Sequence, residues 1–324
     1  MPRKHRLEFP GAIYHVISRG NYRQDIFADE TTKAAFEKCL FEACTKSGWV
    51  LHAYVVMSNH FHLALETPAG NLVLGMRWLL STFSARFNRY RTEHGHVFQG
   101  RYKSLLVEGG TALGQVCHYI HLNPIRAGIT PVAGLRDWRY SSYWHLWRPR
   151  TRPAFVQLKT CLEQAGSLAD TPAGRANYAD YLAWQVAAGP AGTSAAYQSM
   201  SRGWALGGEG YKRALLRDHQ VLAESKAWEN TGAKEVRELH WQAAMERMLQ
   251  KLKLGPERSC NVRKSADWKI AVAARLKATT NVSNGWLAEA LRMGKPGSVS
   301  IYVSQVRKGK ADAEVQRLIQ LLED

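Results

Sequence analysis

The chain of 324 residues is 45% hydrophobic and 22% charged, a composition typical of globular proteins that bury a sizeable core. Its length predicts two domains, or one domain with a substantial extension. Lys and Arg number 44 against 27 Asp and Glu, which gives a formal net charge of +17. This excess favours a polyanionic partner, and the 11 Trp and 13 Tyr residues can stack on unpaired bases, so nucleic acid is the expected partner.

The cysteines and the apolar segments exclude other classes of protein. Five cysteines are scattered without a Cys-x-x-Cys pair, so neither a disulfide framework nor a zinc finger is indicated, and we expect reduced, buried thiols. The basic N-terminus is not followed by the apolar segment of a signal peptide, and no stretch has the length of a membrane span. We therefore expect an intracellular protein that does not contact a membrane.

Residues 1–150 show a β-α-β-β-α-β order of elements. A β-rich run covers 12–19, a helix follows the N-cap residue Asp29 and ends near Gly48, and two short strands flank a turn at Ser58 and Asn59. A second helix is predicted over 71–91, a strand over 97–107, and a third helix from 111 that must stop before Pro124. This order predicts an α+β fold, in which a ferredoxin-like antiparallel sheet carries helices on one face.

The remainder of the chain is predicted to be helical. Residues 151–255 read as a helical connecting region with a Gly/Ala/Ser-rich stretch at 187–196. In the last region, 256–324, helices are predicted over 268–277, 285–291 and 298–307, with a turn at 294–297. The last two helices and their turn resemble a helix-turn-helix, whose second helix would present Tyr302, Gln305, Arg307 and Lys308 to DNA. An ordinary helical hairpin fits the same pattern.

The motif His60-Phe61-His62 is the strongest chemical signal. Side chains two residues apart on a strand share a face, so the two imidazoles project together while Phe61 points into a core. Two adjacent imidazoles can bind one divalent metal ion. A His-x-His pair also occurs in proteins without a metal site, so other residues of the chain are needed to support metal binding here.

The third predicted helix carries Gln115, Tyr119 and Asn123 four residues apart, and therefore on one face. A phenol beside a metal ion is a candidate nucleophile for cleaving a phosphodiester, and the amide oxygen of Asn123 is a candidate third ligand. Histidine nitrogens, an oxygen ligand and open positions suit Mg²⁺ or Mn²⁺ holding a phosphate, and Zn²⁺ or Ni²⁺ could bind in vitro. Taken alone, a tyrosine in a helix is more often a packing residue.

Four motifs in this order resemble the single-tyrosine HUH transposases, and more closely the REP-associated tyrosine transposases of bacteria, which are IS200-like. They are residues 14–21 (YHVISRGN), 57–62 (MSNHFH), 98–104 (FQGRYKS) and 119–128 (YIHLNPIRAG). The resemblance covers about the first 150 residues. It implies a catalytic domain over 1–150 that acts on single-stranded DNA beside a hairpin, in a bacterial, cytoplasmic and nucleoid-associated protein.

The resemblance also implies the roles of individual residues. His60 and His62 match the metal ligands, and Tyr119 matches the nucleophile that becomes linked to a 5′-phosphate and leaves a free 3′-OH. Asn123 falls where the family places a polar ligand one turn after the tyrosine, although Gln115 or His118 could take that place. The last region, 256–324, is similar to the helix-turn-helix of DnaA-type replication initiators, which implies duplex DNA as a further partner. A monomer is favoured over a homodimer.

Basic residues near these motifs are the predicted DNA contacts. Arg101 and Lys103 are expected on one side of the fourth strand as phosphate contacts. His15 is interpreted as structural, since it shares a strand with core residues. The remaining predicted DNA contacts outside 256–324 are Arg3, Lys4, Arg6, Arg19, Asn21 and Arg23.

Three functions are compatible with these features. The first is a metal-dependent endonuclease and strand transferase that nicks single-stranded DNA next to REP-like hairpins through a phosphotyrosine intermediate on Tyr119. The second is a hairpin-binding regulator without catalysis. The third is a hydrolase of small phosphoesters. One class of such enzymes has a third histidine two residues after His62, but this chain has Ala64 at that position. This function would also leave the excess of basic residues unexplained.

Overall fold

The structure, a computed structural model, describes residues 6–188, 200–201, 203–218, 233–254, 262–280 and 282–323. The chain divides into two compact units, Met1–Gly232 and Ala233–Asp324. The first unit therefore includes most of the region that was predicted to connect two domains. The division into three domains at 150 and 255 stays a prediction.

The first unit is built on a mixed sheet, and its α+β class confirms the prediction. The strands in chain order are β1 (Ala12–Arg19), β2 (Val50–Val56), β3 (His60–Thr67), β4 (Lys103–Val107) and β5 (Ala205–Leu206). Their spatial order is β2-β3-β1-β4-β5. The first four strands pair antiparallel, in the order that the split βαβ plan requires. The short β5 was not predicted, and it pairs parallel to β4 at the edge of the sheet.

Helices α1 (Glu30–Ser47) and α2 (Leu72–Arg91) cover one face of the sheet. The Asp29 carboxylate accepts a hydrogen bond from the Thr32 amide at 2.7 Å, and Gly48 ends α1 in the left-handed conformation, so both predicted ends are confirmed. The Phe61 ring of β3 lies 4.6 Å from that of Phe36 in α1, measured between centroids. Because side chains alternate along a strand, His60 and His62 lie on the opposite face.

Helix α3 (Thr111–His121) packs against β2 and β3. One predicted boundary near it was wrong, and another was confirmed. The fourth strand begins at Lys103 rather than at residue 97, because Gly100 adopts a positive φ of 63° that interrupts the extended chain. The prediction that the third helix stops before Pro124 is confirmed, because α3 ends at His121. Pro124 then occupies the first turn of a separate short helix, α4 (Asn123–Arg126), where a missing N–H costs nothing.

The rest of the first unit is helical where it is described. Its helices are α5 (Ser142–Leu146), α6 (Lys159–Glu163), α7 (Pro172–Ala187) and α8 (Glu209–Asp218). The predicted Gly/Ala/Ser-rich stretch lies largely outside the described residues. Cys39, Cys44, Cys117 and Cys161 are buried free thiols, as predicted.

The second unit is a helical domain with its own core. Its helices are α9 (Ala233–Lys251), α10 (Asp267–Thr279), α11 (Asn284–Ala290), α12 (Pro296–Arg307) and α13 (Ala313–Glu323). The three helices predicted in this region are confirmed as α10, α11 and α12. Fully buried Val272, Leu287 and Val299 join α10, α11 and α12 in one apolar cluster. Across the described parts of the chain, no helix is both long and apolar enough to span a bilayer.

Candidate active site

The histidine pair lies at the start of β3. The ring centroids of His60 and His62 are 5.1 Å apart, so the two imidazoles project together as predicted. In the antiparallel pairing of β1 with β3, Arg19 lies opposite His60 and Ile17 lies opposite His62. Directly paired residues present their side chains on the same face, so Arg19 belongs to the same surface as the two histidines.

A chain of hydrogen bonds fixes the tautomer of His62. His15 Nδ1 lies 2.7 Å from the Met200 carbonyl oxygen, and His15 Nε2 lies 2.9 Å from His62 Nδ1. A carbonyl only accepts, so His15 Nδ1 carries its proton and the Nε2 of the neutral ring must accept one from His62 Nδ1. His62 Nε2 therefore keeps its lone pair, which is the state that binds a metal ion.

His60 has the same tautomer for a different reason. Its Nδ1 lies 2.7 Å from the side-chain oxygen of Asn59, whose amide nitrogen donates to the Arg23 carbonyl at 3.3 Å. The oxygen of Asn59 only accepts, so His60 donates from Nδ1 and its Nε2 keeps a lone pair. Each ring of the pair is thus oriented by a partner on Nδ1, as metal-binding histidines usually are.

Burial keeps both histidines neutral. Burial, with a further effect of the Arg19 charge, lowers the pKa of His60 to about 4. Burial also lowers the pKa of His62 well below its usual value, and His15, His60, Arg19 and Arg126 add to that effect. Neutral imidazoles at pH 7 are available as ligands.

Tyr119, in the last turns of α3, lies against the histidine pair. Its ring centroid is 5.5 Å from that of His62 and 5.8 Å from that of His15, and both contacts are edge-on. The side chain is only 8% exposed. The guanidinium carbon of Arg126 lies 4.8 Å from the centroid of the Tyr119 ring. The candidate nucleophile and the candidate ligands, predicted from separate motifs, therefore lie together.

The third ligand is less sharply defined. Asn123 is buried one turn after Tyr119, and its amide nitrogen donates to the Tyr119 carbonyl at 2.9 Å, which leaves the amide oxygen as the atom suited to a cation. His118 is an unsuitable alternative, because its Nε2 binds the Cys161 carbonyl and its ring contacts Tyr181. Gln115 is exposed on α3 and stays an open alternative.

The candidate donor set consists of two imidazole nitrogens and one amide oxygen. Within the described ranges, no group of three or more His, Cys, Asp or Glu side chains could hold a metal ion. A site made of His60, His62 and the amide oxygen of Asn123 does not conflict with this finding, because Asn is not one of the four residue types. The binding of Mg²⁺ or Mn²⁺ at these residues stays a prediction.

The predicted basic contacts of the first unit fall into two groups. Arg19, Arg23 and Arg101 are exposed, and Asn21 is half-buried beside them in sequence. By contrast, the Lys103 ammonium donates to the Ser201 carbonyl. Arg6 is also engaged, since its Nε donates to Ser104 Oγ at 3.1 Å and its guanidinium covers the Tyr102 ring. Arg3 and Lys4 lie outside the described residues.

In the second unit, three of the four residues predicted to contact DNA are exposed on or just after α12. These are Gln305, Arg307 and Lys308. Tyr302 is half-buried and packs against the apolar cluster of the unit. The DNA-binding role of this helix pair stays a prediction.

Two residues of the site were not assigned from the sequence. His15 was interpreted as structural, although a polar residue in the middle of a buried strand requires a hydrogen-bond partner and so signals a special role. Arg126 was noted only as part of a motif. Its side chain reaches Tyr119 because α4 continues directly from the tyrosine helix.

A known family of proteins matches the part of the chain that contains this site. Residues 9–123 match the family model described as IS200-like transposase. The matched segment contains His60, His62, Tyr119 and Asn123. No curated protein matches the chain.

Two solved structures are similar to part of the chain. One is a REP-associated tyrosine transposase bound to a REP hairpin, with 16% identity, a TM-score of 0.39, and coverage of 47% of this chain and 89% of that one. The other is a protein of Deinococcus radiodurans R1 described as a transposase. It has 22% identity, a TM-score of 0.27, and coverage of 40% of this chain and 92% of the other.

Proposed function

We propose that this chain is a metal-dependent enzyme that nicks and rejoins single-stranded DNA beside a hairpin, with Tyr119 as its nucleophile. The observation that carries the proposal is the contact of the Tyr119 ring with His62, on the surface where two neutral histidines present their Nε2 atoms. The match of residues 9–123 to the model of IS200-like transposases supports this proposal. The formal charge of +17 supports DNA as the substrate.

His60, His62 and the amide oxygen of Asn123 would hold the metal ion. Bound there, Mg²⁺ or Mn²⁺ supplies positive charge that offsets the charge developing on the oxygens of the scissile phosphate. The residues of the chain set its position, because His15 and Asn59 hold the two rings by hydrogen bonds of 2.9 Å and 2.7 Å.

Tyr119 carries the covalent step. Its phenol oxygen forms a bond to phosphorus as the bond from phosphorus to the 3′ oxygen breaks. The phenol gives up its proton to solvent or a base, and the leaving 3′ oxygen takes one to become a free 3′-OH. The DNA is left attached through its 5′-phosphate to Tyr119, and attack by a 3′-OH on this linkage rejoins a strand. Exposed Arg19, opposite His60, and exposed Arg126, 4.8 Å from the centroid of the Tyr119 ring, would offset the charge that develops on the phosphate during this step.

Cleavage of a labelled strand tests this proposal. A single-stranded oligonucleotide carrying the hairpin repeats found beside the gene is incubated with the protein and Mg²⁺ or Mn²⁺. The expected product is a shortened strand with a free 3′-OH that a polymerase can extend, and a chelator should prevent its formation. His62→Ala should lose cleavage, whereas His52→Ala, on β2 and paired with Glu66, should keep it. Tight hairpin binding without cleavage under either metal would instead indicate a regulator.

A further inference from the structure

Tyr22 is the most exposed large hydrophobic side chain in the described part of the chain, and its backbone is strained. The side chain is 86% exposed. It lies in the 3-10 turn Asn21–Arg23 that follows β1, with φ 50° and ψ 24°, and Arg23 next to it has φ 61°. Two successive non-glycine residues in the left-handed region cost free energy, and such strain is concentrated at functional sites. Packing does not explain the conformation, because the ring packs against almost nothing.

The turn is held rigidly from both sides. The Gly20 amide donates to the Asn59 carbonyl at 2.8 Å, and the Asn21 amide donates to the Val97 carbonyl at 2.9 Å. A Cβ atom at Gly20 would lie 2.4 Å from the carbonyl oxygen of Gln24, so this close approach of the backbone requires glycine. The neighbouring segments therefore impose the conformation that turns the Tyr22 ring outward.

The same turn is connected to the histidine pair. The side chain of Asn59 joins the Arg23 carbonyl to His60 Nδ1, through hydrogen bonds of 3.3 Å and 2.7 Å. The Asn59 side chain thus links Arg23, the neighbour of Tyr22, to the candidate metal ligand His60. Exposed Arg19, at the end of β1, and exposed Arg23, within the turn, add positive charge near Tyr22 along the chain.

We propose that Tyr22 stacks on an unpaired nucleobase of the DNA strand that enters the site, while Arg19 and Arg23 bind the adjoining phosphates. Exposed aromatic rings on segments that also carry cations are the means by which proteins bind single strands with little dependence on sequence. This inference rests on the proposed function, because it identifies an unpaired base near the scissile phosphate as a binding determinant. Base stacking is unavailable in an intact duplex, so the contact selects single-stranded DNA.

Binding by the full chain in a chelator, where no cleavage occurs, tests the stacking contact. The probe is the single-stranded hairpin oligonucleotide with 2-aminopurine placed in turn at each unpaired position. Asparagine tolerates the left-handed region, so Tyr22→Asn removes the ring without disturbing the turn. Tyr22→Phe keeps the ring, and Tyr90→Ala removes another exposed tyrosine, on α2, as the matched control.

Tyr22→Asn should weaken binding of the single strand by about 5- to 150-fold, the effect of losing one stacked base. It should also abolish the quenching of 2-aminopurine at one position, while Tyr22→Phe and Tyr90→Ala bind like the wild type. Unchanged affinity and quenching in Tyr22→Asn would overturn the inference and leave the proposed nuclease intact. An equal loss in Tyr22→Phe would also overturn it, because the hydroxyl would then be the contact. A wild-type protein that binds no single strand would overturn both proposals.

Discussion

Replacement of His15 by Phe should weaken metal binding without touching a metal ligand. The change keeps an aromatic ring of similar size on β1 but removes both ring nitrogens from the chain of hydrogen bonds that runs from the Met200 carbonyl to His62. His62 Nδ1 then has no acceptor, so its ring is free to rotate and to adopt the other tautomer. In that tautomer Nε2 carries the proton and cannot bind a cation.

The expected loss of metal affinity follows from removing the hydrogen-bond partner of the metal ligand His62. Such a loss typically lowers metal affinity by about 10- to 100-fold, which corresponds to about 1.4 to 2.7 kcal/mol. The folded state should lose about 1 to 3 kcal/mol as well, because His62 Nδ1 and the Met200 carbonyl become buried groups without a partner. His15→Gln should retain much of the affinity, since a single amide can donate to the carbonyl and accept from His62.

Titration with Mn²⁺ followed by electron paramagnetic resonance, without DNA, measures the affinity directly. His118→Phe is the matched control, because it replaces an equally buried histidine that is also bonded to a carbonyl, that of Cys161. This control should lose stability but bind Mn²⁺ like the wild type. A folded His15→Phe protein with wild-type Mn²⁺ affinity would refute the role assigned to His15.

Three further predictions test other parts of the account. Arg126→Ala should slow cleavage about 100-fold with little change in DNA binding, because it removes the cation beside Tyr119. The control variant Arg89→Ala, on α2, should cleave like the wild type. Equal cleavage rates in the two variants would show that Arg126 does not act in the site. Burial lowers the pKa of His121 to about 3, so the unfolded chain binds more protons than the folded one and this histidine's stabilising contribution is lost as the pH falls from about 6.5 to about 3. Chemical denaturation at pH 7, 6 and 5 should therefore show a free energy of unfolding that falls with pH. In His121→Gln this free energy should fall less steeply, by up to about 1.4 kcal/mol per pH unit. The same pH dependence in wild type and variant would contradict this assignment. Arg307→Ala should weaken duplex DNA binding, measured by fluorescence anisotropy, and should reduce by about one the slope of log affinity against log salt concentration. Single-strand cleavage should stay intact. Unchanged duplex binding would exclude α12 as the duplex contact.

The elements that the sequence predicted well are those encoded by local signals. Asp29 and Gly48 mark the ends of α1, and the alternation around Phe61 places the histidine pair on the face away from the core. Tyr119 and its neighbours could be placed on one helix for the same reason. Local periodicity therefore predicted the strand and the helix, and the family resemblance implied that their residues form one site.

The features that the sequence did not predict depend on distant contacts. Met200 meets His15 across 185 positions in the chain, and no pattern near either residue indicates that pairing. The two-residue strand β5 is too short to show an alternation, and only its pairing with β4 defines it. The site therefore uses a segment beyond residue 150, where the catalytic domain was predicted to end.

The role of Tyr119 as nucleophile is the central claim, and mapping the attachment point of the DNA tests it most directly. The protein is incubated with the hairpin oligonucleotide and Mn²⁺, digested with trypsin and nuclease, and analysed by tandem mass spectrometry. The account predicts that the peptide containing residue 119 carries a nucleotide linked through its 5′-phosphate to Tyr119, and that Tyr119→Phe yields no adduct while still binding the hairpin. An adduct on another residue, or cleavage that leaves a free 5′-phosphate without any adduct, would contradict it.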